Sequence, residues 1–85
     1  MKEIKYVVTD ELGVHARPAG LLVRAASKYK CDIKVGNHKR MVDATRIMGV
    51  MGLAMKQHDE LIMSFDGVDE DVAVAGMETF LKENL

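Results

Sequence analysis

The chain has 85 residues, of which 48% are hydrophobic and 29% charged, the composition of an ordinary water-soluble globular chain forming one domain. At this length folding buries roughly 60–65% of the unfolded surface, enough for stability if one core is continuous. A formal net charge of −1 and only four Tyr and Phe residues argue against a nucleic-acid surface or an anionic membrane patch, and no apolar run approaches a membrane span.

In chain order, Ile4, Tyr6 and Val8 alternate with Lys5, Val7 and Thr9, the period-2 pattern of a half-buried strand. Asp10 to Gly13 read as the turn that follows. Pro18 marks a helix start, since its fixed φ suits the first turn and its missing N–H costs nothing there. From Arg17 to about Lys28 the period becomes helical. Ala19, Leu22, Val23 and Ala26 form the core face, while Arg17, Leu21, Arg24 and Lys28 lie opposite. A second strand carries Cys31, Ile33 and Val35. Gly36-Asn37-His38 is its turn, and Lys39 to Asp43 return as a third strand.

Ile47 to about Met55 reads as a short helix with Thr45 as its N-cap, weakened by Gly49 and Gly52 at ~1 kcal/mol each. Met48, Met51 and Met55 recur along it. Met55 suits the core, whereas Ile47, Met48 and Met51 are candidates for an adaptable apolar surface. A fourth strand holds Leu61, Met63 and Phe65. Asp69 then caps a last helix whose core face is Ala73, Val74, Met77, Phe80 and Leu81. The order β-α-β-β-α-β-α with a tight hairpin predicts an α+β fold, an antiparallel sheet with helices on one face.

The chemistry concentrates at Val14-His15-Ala16-Arg17-Pro18-Ala19. A helix start offers unpaired N–H donors and the positive end of a dipole. An imidazole nucleophile and a guanidinium placed there suit a phosphoryl group. His38 and His58 share no metal-ligand spacing with His15 and read as solvated turn residues. The lone Cys31 permits no internal disulfide and reads as a small, half-buried side chain, which fits a reducing cytoplasm.

These motifs make the chain resemble the HPr family, the histidine phosphocarriers of the bacterial sugar phosphotransferase system. Gly13 to Ala19 is similar to the family's active-site signature, and Ala26-Ser27-Lys28-Tyr29 and Ile47 to Met51 look like Gram-positive forms. The resemblance spans essentially the whole chain and implies a single HPr-like domain over 1–85. It implies an open-faced two-layer sandwich, with strands in order 1-4-2-3 under three helices. It further implies that His15 takes a phosphoryl group on Nδ1 from Enzyme I, supplied by phosphoenolpyruvate, and passes it to the EIIA domain of a sugar permease. Arg17 and the N–H groups of Ala16 and Arg17 would hold the phosphate. Partners would dock on Arg17, Gly20, Leu21, Arg24, Ile47, Met48 and Met51. A cytoplasmic monomer without cofactor or metal is the form expected, a transfer intermediate rather than an enzyme. Many Gram-positive relatives carry a regulatory serine just before the Ile-Met-Gly motif; here Arg46 occupies that place and cannot be phosphorylated. The other reading the sequence leaves open is a regulatory module that works by complex formation.

Overall fold

A computed structural model describes residues 1–85. In chain order the elements are β1 (Lys2–Val7), α1 (Ala16–Ala26), β2 (Asp32–Gly36), β3 (Met41–Asp43), α2 (Ile47–Gly52), β4 (Glu60–Asp66) and α3 (Glu70–Asn84). The four strands form one sheet in the order β1-β4-β2-β3, every neighbouring pair antiparallel. This is the open-faced arrangement expected from the sequence.

Register explains the layering. Ile4 stands opposite Met63, Met63 opposite Val35, and Val35 opposite Val42, so one apolar row crosses all four strands. Phe65 with Ile33, and Leu61 with Tyr6, give parallel rows on the same face. The helices cover that face. α1 contributes Ala19, Leu22 and Ala26, and α3 contributes Ala73, Met77 and Leu81 at successive turns. Leu22, Leu61, Met63, Phe65, Met77 and Leu81 are fully buried, so truncating any one of them to alanine costs about 2–5 kcal/mol. Val23, Val74 and Phe80 are only half-buried and pack against the rim of this core. On the other face Lys5, Ile62, Gly36 and Met41 form a row, in which Ile62 is buried on the central strand β4.

Several local expectations are corrected. β3 begins at Met41, because the side-chain oxygen of Asn37 accepts the N–H groups of Lys39 (2.8 Å) and Arg40 (3.0 Å) and holds both in the turn. Gly36 ends β2 inside the ladder and has no positive φ; a Cβ there would run into the Arg40 carbonyl, so close approach explains it. Thr45 does not cap α2. Its hydroxyl and N–H both turn back to the Asp43 carboxylate, at 2.6 and 2.9 Å, and Arg46 takes the cap position without a side-chain bond. α2 stops at Gly52, ahead of Ala54 with φ +51°. Asp69 occupies the cap position of α3, but its carboxylate accepts the N–H groups of Lys30 (2.7 Å) and Cys31 (2.8 Å) instead. That bridge ties the start of α3 to the entry of β2. Cys31 precedes β2 and is buried rather than half-buried.

Candidate functional site

The segment before α1 is fixed at each residue. Gly13 has φ +69°, a conformation that suits glycine, and its missing Cβ leaves room for the Met55 carbonyl. Val14, buried beyond it, donates its N–H to that same carbonyl at 2.9 Å. His15 follows as the N-cap of α1, extended at φ −99° and ψ −174°, with its N–H on the Gly13 carbonyl at 3.1 Å. Its carbonyl accepts the Ala19 N–H at 2.9 Å and begins the helix. The imidazole makes no capping bond and is about a third exposed.

Three features of this helix start favour an anion. The N–H groups of Ala16 and Arg17 meet no acceptor in the protein. No acidic residue occupies the first turn of α1. The exposed Arg17 guanidinium makes no ion pair. Unpaired donors, the positive end of the helix dipole and a free cation therefore converge beside an imidazole.

A cleft opens at the same place, lined by Asp10, His15, Arg17, Pro18 and Leu21 together with Glu83 and Asn84. The last two belong to the end of α3. Asp10 places a carboxylate oxygen 3.8 Å from His15 Nε2. From the sequence Asp10 reads as a turn residue; the structure adds its closeness to the ring. The visible signal was its position, five residues before the histidine in a tight loop.

The second group of candidates lies where α1 meets α2. A Cβ at Gly20 would stand 3.9 Å from Ile47 Cδ1, so glycine lets the two helices approach there. Leu21, Ile47 and Met51 are partly exposed, and Met48 is 79% exposed, a large apolar side chain in water. Arg17, Arg24 and Arg46 are exposed cations on these two helices. Met55, by contrast, is in the core as expected, although it lies beyond the end of α2. An exposed apolar patch with cationic neighbours fits an acidic protein surface with an apolar centre.

His38 and His58 lie away from this site. His38 Nε2 pairs with Glu60 at 2.7 Å on the surface, and His58 sits in a loop with φ +78°. No helix is long and apolar enough to cross a membrane.

The family model "PTS HPr component phosphorylation site" matches residues 2–83. Phosphocarrier protein HPr of Lysinibacillus sphaericus is 40% identical over 83 residues, covering 98% of this chain and 94% of that protein. The crystal structure of HPr from Thermoanaerobacter tengcongensis aligns with a TM-score of 0.92 at 34% identity, covering 99% of this chain and 94% of that one. Crh of Bacillus subtilis, a catabolite repression protein described as a swapped dimer, aligns at 0.76 with 30% identity, covering 100% and 98%.

Proposed function

Because this chain belongs to the HPr family of phosphotransferase-system phosphocarriers, we propose that His15 is the residue that carries its phosphoryl group. The observation behind this reading is the imidazole at the start of α1, beside two unpartnered N–H groups and the unpaired Arg17 guanidinium. A ring lone pair attacks phosphorus on the donor, the donor's own bond to phosphorus breaks, and its electron pair leaves with the donor. The phosphoryl oxygens then accept from Ala16 and Arg17 N–H and from the guanidinium.

The donor in this reading is phospho-Enzyme I, charged by phosphoenolpyruvate, and the acceptor is an EIIA domain of a sugar permease. Both would dock on Gly20, Leu21, Ile47, Met48 and Met51, with Arg17 and Arg24 steering them by charge. A carrier of this kind works as a monomer in the cytoplasm and turns over only through its partners. Arg46 stands where the regulatory serine of many relatives would be, so this chain runs without that switch. Positive charge there strengthens the docking of acidic partners where a phosphate would weaken it.

Restoring sugar phosphorylation in a bacterial extract stripped of its own carrier tests the function. The chain should restore it, and a His15→Ala variant should not. The likeness to Crh favours a second reading, a regulatory module that binds a partner without passing on phosphate. That reading predicts no restoration by either form, together with capture of a regulator. The retained His15 favours the carrier.

A further inference from the structure

From the geometry we infer that Asp10 is a positioning residue, whose carboxylate holds the His15 proton on Nε2 and leaves the lone pair on Nδ1. The inference rests on the carrier reading for its purpose, though not for its test. Asp10 Oδ1 lies 3.8 Å from Nε2, and it is the one carboxylate within ion-pair distance of the ring. At that separation the contact is electrostatic and not a hydrogen bond. An N–H on Nε2 points its positive end at the anion. The other tautomer would turn a lone pair toward it. The nitrogen that faces a fixed acceptor keeps the proton, so the carboxylate selects the first tautomer.

The selection requires that carboxylate and ring both stay in place. Asp10 is tied down at three points: Oδ1 accepts the Leu12 N–H at 2.8 Å, its N–H donates to the main-chain oxygen of Leu85 at 2.9 Å, and its carbonyl accepts the Gly13 N–H at 2.9 Å. Thr9 reinforces the strap, donating its N–H and, at 2.8 Å, its hydroxyl to the same Leu85 oxygen. The ring is carried one residue beyond Val14, itself anchored on Met55. Nδ1 is bonded to Cγ and is the ring nitrogen that Asp10 does not face, while Ala16 and Arg17, the next two residues, offer unpaired N–H groups at the start of α1. The tautomer that Asp10 selects thus leaves the lone pair on the nitrogen that Asp10 does not occupy, free for phosphorus. Arg17 and Glu83 line the same cleft, one of each sign.

The same carboxylate has a second effect during transfer. When the Nδ1 lone pair forms the new bond to phosphorus and the donor departs with its pair, the proton on Nε2 stays. The ring becomes a cation facing the Asp10 anion. On the return step the ring leaves phosphorus as neutral imidazole, again with the Nε2 proton in place.

The test uses Asp10→Asn, which retains an oxygen for the Leu12 turn but removes the charge, and Asp10→Ser, which retains a shorter acceptor. Long-range proton–nitrogen NMR of His15 in the unphosphorylated protein reads the tautomer directly, in the alkaline range where a histidine ring is neutral. The parent should carry the proton on Nε2. Because the pair is only part-buried, its ratio of Nε2–H to Nδ1–H should fall by about fivefold in both variants. The rate of phosphoryl acceptance follows the fraction of Nε2–H ring and not the ratio, so it should fall by less than the ratio does, with KM for the donor unchanged, since docking residues are untouched. A parent protonated on Nδ1, or equal ratios in parent and variants, overturns the inference. A phosphoryl group found on a residue other than His15 overturns the carrier reading instead, while the tautomer ratio still decides the role of Asp10.

Discussion

Replacing Gly13 with alanine probes how the histidine loop is seated. The residue has φ +69°, and an ideal Cβ there would collide with the Met55 carbonyl and lie 2.7 Å from Lys56 Cα. Both obstacles are backbone, so neither can rotate aside. A left-handed conformation costs an L residue about 1–2 kcal/mol. Parting the two segments weakens the bond from Val14 N–H to the Met55 carbonyl, worth about 1 kcal/mol. Together with the overlap itself, Gly13→Ala should cost about 2–4 kcal/mol, lowering the melting temperature of a domain this size by about 10–25 °C. Gly52→Ala is the control. It meets nothing within 4 Å and closes α2, so it should be neutral or stabilise by up to about 1 kcal/mol. Calorimetry on both proteins, with phosphoryl acceptance measured below the transition, gives the answer. If Gly13→Ala melts within about 2 °C of the parent, the close approach to Met55 is not what seats His15.

Other expected outcomes follow from charge and burial. Asp43, Asp69 and Glu70 are each held below the ordinary carboxylate range, first by the Thr45 hydroxyl, the Lys30 N–H and the Gly67 N–H respectively. The unfolded chain therefore binds protons at a higher pH than the folded one, and stability present above pH ~5 should fall as the pH drops below about 4. Urea midpoints at pH 7, 4 and 3 should decline in that order; constant midpoints would contradict the bonding assigned to these carboxylates. Burial, then the Asp69 hydrogen bond, pushes the Cys31 thiol up to about 11. At pH 8 only about a thousandth would be thiolate, so a thiol reagent should label the native protein slowly and the urea-unfolded protein at once. Fast native labelling would mean that the bridge at the start of α3 opens freely. Arg46→Ser should weaken binding to Enzyme I at low salt and lose most of that effect at high salt. Equal affinities at both salts would remove Arg46 from the docking surface.

What the chain shows in advance is what depends on its own local pattern. Alternation located the strands, and the spacing of Ala19, Leu22 and Ala26 assigned the inner face of α1, because burial on a two-layer fold imposes those periods directly. Strand order came through family resemblance, since alternation is blind to which strand pairs with which. Asp69 does stand at the N-cap of α3, but the side-chain caps expected of Thr45 and Asp69 are both absent for one physical reason. A Thr hydroxyl or Asp carboxylate near a helix start has several acceptors or donors to choose from, and tertiary contacts decide between them. Thr45 found Asp43 two residues back, while Asp69 found N–H groups 39 and 38 residues away. The site was legible in part. His15, Ala16 and Arg17 are contiguous, and the helix start that gives them meaning is marked by Pro18. Glu83 and Asn84 reach the cleft only because α3 returns across the sheet, and Asp10 faces the ring only because the loop is strapped to Leu85.

The central claim concerns a single nitrogen on a single residue. Incubating the protein with phosphoenolpyruvate and Enzyme I, then locating the phosphoryl group by phosphorus NMR and by peptide mapping under alkaline conditions, tests it directly. The account predicts an acid-labile, alkali-stable phosphohistidine on Nδ1 of His15, absent from His15→Ala. Equal labelling of His15→Ala, or phosphate found on any other residue, would contradict it.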